Sequence, residues 1–401
     1  MNSSSLDCLE LELGQSGVAT RYQWRAENGS AFPSQFLVID DTCTADQAFK
    51  LARAGTYLIW NADFQNARQL LQAISRRLDK SLKRRDSAQG RTLARAFDEF
   101  REDQKSRAQL LGKLLIPVGP DHKIQLKRAP LIEQAAAQAY GCDAPAYLVS
   151  LRELQGVISA FEWRKKGVAI DLSDCGLAPF KIAPHFGVFS PIRGEYLRLV
   201  GSAPLPVSLE SSSIAFDIGT GTGVLSLILA FRGVKNIVAT DQSPRAVACA
   251  LANIEELKMH AAVKVVQTHL YPLDPSTHSA LKAALIVCNP PWLPAPSSGA
   301  IDSAVFDPDS QMLKGFLYGL GERLLPQGEG WLILSDLAEH LGLRSRGELM
   351  HWIDEAGLEV LGRLDIRPEH KKARDPNDPF YAARSGELTS LWRLGVRSRG
   401  L

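Results

Sequence analysis

The C-terminal half of the chain alternates between short apolar runs and stretches with helical spacing. From residue 214 onward, helical stretches of about ten residues separate the first five runs. Such alternation is typical of a doubly wound, mainly parallel sheet. The predicted strands are Ile214–Ile218, Asn236–Thr240, Val263–Gln267, Ala284–Cys288, Trp331–Leu334, Leu358–Leu364 and Leu391–Val396.

The N-terminal part shows a weaker pattern. The apolar runs Phe36–Ile39 and Tyr57–Trp60 flank a short helical spacing and predict one small strand-helix-strand unit. A helical pattern then extends from Asn66 to about Leu114, with apolar residues at intervals of three and four.

A region of mixed pattern precedes the C-terminal half. It predicts a helix over Leu131–Tyr140 and a hairpin formed by Gly167–Asp171 and Phe186–Phe189, and a break rich in Gly, Pro and Ser follows near residues 201–213. A chain of 401 residues exceeds what one core usually organises. We therefore predict a largely helical α+β accessory domain over 1–130, a linking region over 131–205 that is a candidate for substrate recognition, and an α/β domain over 206–401.

Composition is that of an ordinary globular protein, with 45% hydrophobic and 22% charged residues. The six cysteines are scattered without the spacing of a metal site or a disulfide framework. The N-terminus does not resemble a signal peptide, and no apolar run approaches the roughly 18 residues of a membrane span. We expect a cytoplasmic protein with no membrane segment and no metal.

The net charge of +2 conceals an uneven distribution. Residues 1–63 carry four Lys and Arg against eight Asp and Glu, whereas residues 68–128 carry sixteen against seven, a balance of +9. A solvated helix surface and a nucleic-acid-binding face both explain this basic segment. Its densest cluster comprises Arg76, Arg77, Lys80, Lys83, Arg84 and Arg85.

The strongest local signal is the run Ala215–Leu225, in which a predicted strand leads into three glycines and then an apolar helix. Glycines at a strand end let the backbone approach a ligand closely. The spacing is GxGxG rather than the GxGxxG of dinucleotide binding, and an acid precedes it. A carboxylate suits the sulfonium and ammonium groups of S-adenosylmethionine better than a pyrophosphate. The candidate cofactor-binding residues are Asp217, Gly219, Thr220, Gly221 and Gly223.

The next strand ends at Asp241, about twenty residues farther on, where an acid can bind both ribose hydroxyls. We assign Asp241 and the adjacent Gln242 to the cofactor site. The alternative for Asp241 is a cap for the helix that begins near Ser243, and the alternative for Asp217 is a purely structural role.

A second motif, Asn289-Pro290-Pro291-Trp292, ends the fourth predicted strand. Consecutive prolines fix the backbone and remove two N–H donors. The carbonyl groups of Asn289 and Pro290 then form a pair of acceptors for an NH2 group, and the Trp292 indole offers a flat face to a planar substrate. These contacts direct the nitrogen lone pair at an activated methyl group, so the reaction depends on positioning and does not need a strong base. Asn289, Pro290 and Trp292 are the candidate catalytic residues, Pro291 and Trp292 are candidate substrate contacts, and a simple turn is the alternative.

Together these motifs resemble the "small domain" group of S-adenosylmethionine-dependent methyltransferases, which includes release-factor and ribosomal-protein glutamine methyltransferases and guanine-N2 rRNA methyltransferases. The resemblance covers His185 to Arg397, roughly half of the chain. It implies a Rossmann-like, seven-stranded α/β domain, mainly parallel with an antiparallel last strand, after an α+β or helical N-terminal domain. It also implies S-adenosylmethionine as cofactor, S-adenosylhomocysteine as product, and a cofactor contact for Asn289.

The resemblance extends to residues outside the motifs. Phe189 and Arg193 are expected over the cofactor or substrate. The polar loop that contains Lys371, Lys372 and Tyr381 is either a cover for the substrate, with Tyr381 touching it, or an ordinary exposed connection.

Two positions depart from the group. Trp292 stands where Tyr or Phe is usual, which leaves stacking possible but changes the pocket. His269 takes the place of an acid that usually contacts adenine, beside Leu270; both are assigned to the cofactor site, and a plain loop histidine is the alternative.

The sequence thus predicts an N-methyltransferase that acts on a planar amine or amide nitrogen, most simply an RNA base or a protein glutamine. The basic segment favours RNA or a ribosome- or translation-associated protein as partner. A small-molecule N-methyltransferase and a non-catalytic nucleic-acid-binding scaffold that retains the fold are the alternatives; a nicotinamide dehydrogenase would need a different glycine spacing.

Overall fold

The computed structural model describes residues 8–13, 19–83, 91–191, 194–212, 214–274, 276–297, 302–369 and 375–397. Packing divides the chain into two compact units, residues 1–162 and 163–401. This single division differs from the predicted boundaries at 130 and 205, and the three-part scheme of functional domains stays a prediction. Over the described ranges, no helix has both the length and the apolar character that a membrane crossing requires.

The first unit contains a six-stranded mixed sheet. Its strands are β1 (Cys8–Glu12), β2 (Ala19–Arg25), β3 (Phe36–Ile39), β4 (Tyr57–Trp60), β5 (Leu114–Val118) and β6 (Tyr147–Ser150), in the spatial order β1-β2-β6-β5-β4-β3. Its helices are α1 (Ala45–Arg53), α2 (Phe64–Lys83), α3 (Leu93–Leu111), α4 (Glu133–Tyr140) and α5 (Leu151–Lys166), within which the division between the units falls.

This sheet is larger than the sequence predicted. The expected strand-helix-strand unit is present as β3, α1 and β4, but four further strands join it. β1 and β2 are half-buried and rich in polar residues, so no apolar run marks them. β5 is a fully buried apolar run, but it directly follows the helical pattern that ends near Leu114. β5 and β6 pair across about thirty residues of intervening chain, and local pattern carries little information about such pairing.

The second unit is built on a seven-stranded sheet and a small hairpin. The hairpin strands are β7 (Val168–Ile170) and β8 (Phe180–Ile182). The sheet strands are β9 (Ile214–Ile218), β10 (Asn236–Asp241), β11 (Val263–Gln267), β12 (Ala283–Cys288), β13 (Leu324–Ser335), β14 (Leu358–Ile366) and β15 (Thr389–Val396). The helices are α6 (Glu195–Ser202), α7 (Ser208–Ser211), α8 (Val224–Phe231), α9 (Pro244–Glu256), α10 (Gln311–Arg323), α11 (Leu337–His340), α12 (Arg346–Glu355) and α13 (Tyr381–Ser385).

The spatial order of the large sheet is β11-β10-β9-β12-β13-β15-β14. Strands β9 to β13 pair in parallel, and β15 is antiparallel to both of its neighbours. This confirms the predicted fold class and all seven predicted strands; β13 begins earlier than predicted. Every residue of β12 is buried because helices cover both faces, with α6, α8 and α9 on one and α10 and α12 on the other.

The predicted hairpin is wrong in its second strand. Val168–Ile170 pairs with Phe180–Ile182, in the register Val168 to Ile182, and not with Phe186–Phe189. Gly187 has a φ of 78°, which breaks the extended conformation and places that segment in a turn.

Candidate active site at the carboxyl edge of the large sheet

The two motifs meet at one place in the second unit. β9 lies between β10 and β12, so the chain reverses the direction of strand addition at β9. Open α/β sheets bind ligands at such a switch point, beyond the carboxyl ends of the strands. The segment Gly219–Gly223, here called the glycine loop, follows β9, and Asn289 follows β12. The fold therefore brings together two motifs about seventy residues apart.

Asp217 is fully buried near the end of β9. Its Oδ2 accepts hydrogen bonds from Thr220 Oγ1 at 2.6 Å, Ser226 N at 3.1 Å and Ser226 Oγ at 2.7 Å. Its Oδ1 is buried and has no hydrogen-bond partner. Burial raises the pKa of this carboxyl group, while the three donors on Oδ2 oppose the shift. One oxygen therefore shapes the loop, and the other keeps unused hydrogen-bonding capacity.

The glycine loop depends on backbone conformations that other residues rarely adopt. Gly219, Gly221 and Gly223 have φ angles of 73°, 56° and 82°. A Cβ on Gly219 would lie 2.5 Å from Cε of Met312, the flexible end of that side chain, so the positive φ rather than close packing favours glycine here. The N–H groups of Gly219 and Thr220 donate to the carbonyl oxygen of Thr240 at 2.9 and 2.8 Å, which fastens the loop to the end of β10.

Asp241 ends β10 with both carboxylate oxygens engaged by backbone. Oδ2 accepts from Gly221 N at 3.0 Å, and Oδ1 accepts from Ser243 N at 2.9 Å. Ser243 itself caps α9, since its Oγ accepts from Ala246 N. Burial raises the pKa of Asp241, and the backbone donors lower it. Each oxygen keeps a lone pair, so the side chain can still accept ribose hydroxyls.

Asn253, which the sequence reading missed, ties the glycine loop to the segment before it. Its Nδ2 donates to the carbonyl oxygen of Thr222 at 2.9 Å, and its Oδ1 accepts from Ala183 N at 2.7 Å. The side chain is only 2% exposed. The sequence did contain a signal for this residue: Asn253 is a polar residue on the apolar inner face of α9, beside Cys249 and Ala250, and buried polar groups usually have hydrogen-bond partners.

Asn289 and Trp292 contact each other directly. The indole Nε1 of Trp292 donates to Oδ1 of Asn289 at 2.9 Å. The half-buried Trp292 ring lies perpendicular to the ring of Tyr196, with centroids 6.2 Å apart. Pro290 is buried, and no donor within the described ranges reaches its carbonyl oxygen. Both predicted acceptors therefore lie at the strand end, one of them already engaged by the indole.

The loop after Trp292 is anchored by Asp307. Asp307 N donates to the carbonyl oxygen of Leu293 at 2.9 Å, and its carboxylate accepts from the N–H groups of Met312 and Leu313 at 3.0 and 3.1 Å. Asp307 thereby caps α10, and Met312 in turn packs against Gly219. The loop after Trp292 and the glycine loop are thus linked by one short chain of contacts.

The other predicted site residues are less engaged. Gln242 and His269 are exposed, whereas Leu270 is half-buried, and its carbonyl oxygen accepts from Thr240 Oγ1 at 2.7 Å. Phe189 and Tyr381 are 36% and 38% exposed, and no hydrogen bond or ring contact joins either to the motifs among the described residues. Arg193, Lys371 and Lys372 lie outside the described residues.

The two carboxylates beside the glycine loop fit S-adenosylmethionine better than a dinucleotide. A buried carboxylate with a free Oδ1 beneath the glycine loop favours a cationic ligand and repels a pyrophosphate. A second carboxylate, Asp241, lies at the next strand end. Asp217 and the glycine loop would hold the amino-acid part, and Asp241 the ribose.

Comparison with known proteins addresses the same region. The family described as "Ribosomal protein L11 methyltransferase (PrmA)" matches residues 205–290. A ribosomal protein L11 methyltransferase of Anoxybacillus flavithermus is 26% identical over 148 residues, which is 33% of this chain and 46% of the relative. The tRNA1(Val) (adenine(37)-N6)-methyltransferase of Shewanella loihica is 27% identical over 53% of this chain and 86% of its own length. The release factor glutamine methyltransferase of Shewanella oneidensis is 40% identical over 24% and 32%.

These likenesses support an S-adenosylmethionine-dependent methyltransferase for the region that contains both motifs. The match to the methyltransferase family covers the glycine loop, Asp241 and the start of the Asn-Pro-Pro-Trp motif. The chain spans about half of the length of the L11 relative and about a third of the length of the release-factor relative.

The basic cluster lies on α2 of the first unit, outside the methyltransferase domain. Arg77 is paired with Asp46 at 2.6 Å, whereas Arg76 and Lys80 are exposed. Arg107 of α3 pairs with Asp79 of α2. Arg84 and Arg85 lie outside the described residues. The charge of Arg77 is therefore neutralised by a neighbour, whereas Arg76 and Lys80 face solvent.

Proposed function

We propose that the protein transfers a methyl group to a planar amine or amide nitrogen, in an RNA base or a protein glutamine. The observation that carries this proposal is the position of the Asn289 and Pro290 carbonyl groups at the end of β12, beside the cofactor loop. Relatives named for adenine N6 and for glutamine both act on an NH2 group attached to a planar system, which these two acceptors suit.

The residues act mainly by positioning. S-adenosylmethionine supplies, when bound, a methyl group on a positively charged sulfur. Asn289 Oδ1 and the Pro290 carbonyl oxygen each accept a hydrogen bond from one N–H of the substrate NH2 group. These bonds weaken the conjugation of the nitrogen lone pair with the planar system and direct the lone pair toward the methyl group. The nitrogen forms the new bond to carbon, the carbon–sulfur bond breaks, and the extra proton leaves to solvent.

A translation-related partner is the preferred substrate, and the cytoplasm the expected compartment. Three relatives are named for a tRNA, a ribosomal protein and a release factor. The exposed Arg76 and Lys80 offer positive charge for an RNA backbone, which favours RNA within that class. A small-molecule acceptor and a non-catalytic scaffold are the competing functions.

The test is methyl transfer to the contents of a lysate from cells that lack the gene. The purified protein is incubated with methyl-labelled S-adenosylmethionine, and RNA, protein and small-molecule fractions are counted. We expect label in RNA or protein, loss of label with Asn289→Ala, and full labelling with Glu256→Ala, at an exposed position of the same unit. Label confined to small molecules would contradict the substrate class, and cofactor binding without any label would favour the scaffold.

A further inference from the structure

The contact between Trp292 and Asn289 assigns the indole a role beyond stacking. We propose that Trp292 is a positioning residue that holds the Asn289 amide with its oxygen toward the substrate nitrogen. The indole uses one lone pair of that oxygen, and the other lone pair remains for one N–H of the substrate. This inference rests on the proposed function, because it concerns how the same acceptor pair is set up.

The chemistry of the two side chains supports the assignment. An asparagine amide is nearly symmetric in shape and rotates through a broad range about its terminal torsion, so packing alone distinguishes its oxygen from its nitrogen poorly. The indole N–H only donates. At 2.9 Å the indole N–H can donate only to the amide oxygen, because the flipped amide would place two donors against each other.

The indole is itself held in place. Its ring packs at right angles to Tyr196, which is 5% exposed, and it borders the apolar cores on both faces of the large sheet. A partner fixed in this way transmits its orientation to Asn289 rather than following it. A phenylalanine or tyrosine at position 292 would keep an aromatic face but would have no ring N–H at this place.

The stoichiometry of hydrogen bonds also matters. An amide oxygen has two acceptor positions, and the indole takes one. The second position remains for one N–H of the substrate nitrogen, while the Pro290 carbonyl oxygen accepts a hydrogen bond from the other N–H. Trp292 thus organises Asn289 before the acceptor arrives, which lowers the barrier to transfer rather than strengthening acceptor binding.

The first measurement is made on the protein without substrate. Seven tryptophans give seven indole N–H signals in a spectrum of 15N-tryptophan-labelled protein, and Trp292→Phe identifies the one from position 292. We expect that signal to lie downfield, to exchange slowly with solvent, and to move upfield in Asn289→Ala. A signal that does not respond to Asn289→Ala would overturn the assignment.

The second measurement separates positioning from stacking. The substrate is the lysate fraction, from cells that lack the gene, into which the wild-type protein transfers label. With this substrate we expect Trp292→Phe and Trp292→Tyr to lower kcat at least tenfold, while the KM for the substrate and the affinity for the cofactor stay within about threefold of the wild-type values. Trp163→Phe, at an exposed position, serves as the matched control and keeps full activity.

The outcomes distinguish this inference from the proposed function. Wild-type kcat in Trp292→Phe, with an inactive Asn289→Ala, would overturn the role of the indole and leave the acceptor pair intact. Full activity in Asn289→Ala would overturn both. A rise in KM alone would identify Trp292 as a stacking surface and would also overturn the inference.

Discussion

The side chain of Asn253 donates a hydrogen bond to the carbonyl oxygen of Thr222, 2.9 Å away in the glycine loop. The same amide accepts from Ala183, so one buried residue joins α9, the cofactor loop and the segment that leads into the domain. No part of the cofactor motif includes Asn253.

We expect Asn253→Ala to cost about 1–3 kcal/mol of unfolding free energy, because it leaves the largely buried Thr222 carbonyl and Ala183 N–H without partners. Cofactor affinity should also fall several-fold as the loop loses its anchor. Urea unfolding and calorimetric titration measure the two effects. Asn377→Ala, at an exposed position, should change stability by less than about 0.5 kcal/mol. Equal stabilities of the two variants would contradict the anchoring role.

A second prediction concerns the free oxygen of Asp217. Asp217→Asn keeps an oxygen for Thr220 and Ser226 but replaces Oδ1 with an NH2 group. We expect the variant to fold and to bind S-adenosylmethionine at least tenfold more weakly, since a hydrogen bond to a charged group contributes about 1.5–3 kcal/mol. Asp217→Ala should lose both stability and binding. Unchanged affinity in Asp217→Asn would make Asp217 purely structural.

A third prediction concerns Asp241. We expect Asp241→Ala to weaken cofactor binding by about 1.5–3 kcal/mol through the loss of ribose contacts. Because burial raises the pKa of Asp241 and the ionised form is the better acceptor, affinity should fall on acidification, starting above the pH of about 4 usual for an aspartic acid. Titration calorimetry between pH 7.5 and 5 would show this, and an unchanged affinity in Asp241→Ala would remove the residue from the site. Asp143→Ala, at an exposed position of the other unit, is the control.

The exposed charges on α2 give a fourth prediction. Binding of bulk tRNA should weaken with salt, and the double variant Arg76→Glu, Lys80→Glu should reduce the slope of log affinity against log salt by about two. Lys235→Glu with Lys264→Glu makes the same change of charge at exposed positions of the other unit and should have a smaller effect. Equal slopes for the two double variants would show that α2 is an ordinary solvated helix.

Much of the catalytic half could be predicted from the sequence because its signals are local. Buried parallel strands are continuous apolar runs, and glycines with a nearby acid mark the place where a loop must turn under a ligand. The seven strands, the glycine loop and Asp241 are where these patterns placed them. Whether Asp217 and Asp241 contact the cofactor stays a prediction.

The N-terminal sheet and the hairpin needed the tertiary structure. β1 and β2 are short and half-polar, so their place in the sheet follows from which partners remain available after the core has formed. The partner of Val168–Ile170 is the short run Phe180–Ile182, which Lys181 interrupts, and the sequence pattern did not single it out.

The sequence by itself determined the fold class and the place of the two motifs at strand ends, because periodicity and turn residues act within a few positions of the chain. Only the tertiary structure decided that Asn253 holds the glycine loop, that Asp217 retains a free oxygen and that Trp292 donates to Asn289. Each of these depends on the direction of a hydrogen bond in three dimensions, and residue types along a chain do not specify which donor reaches which acceptor.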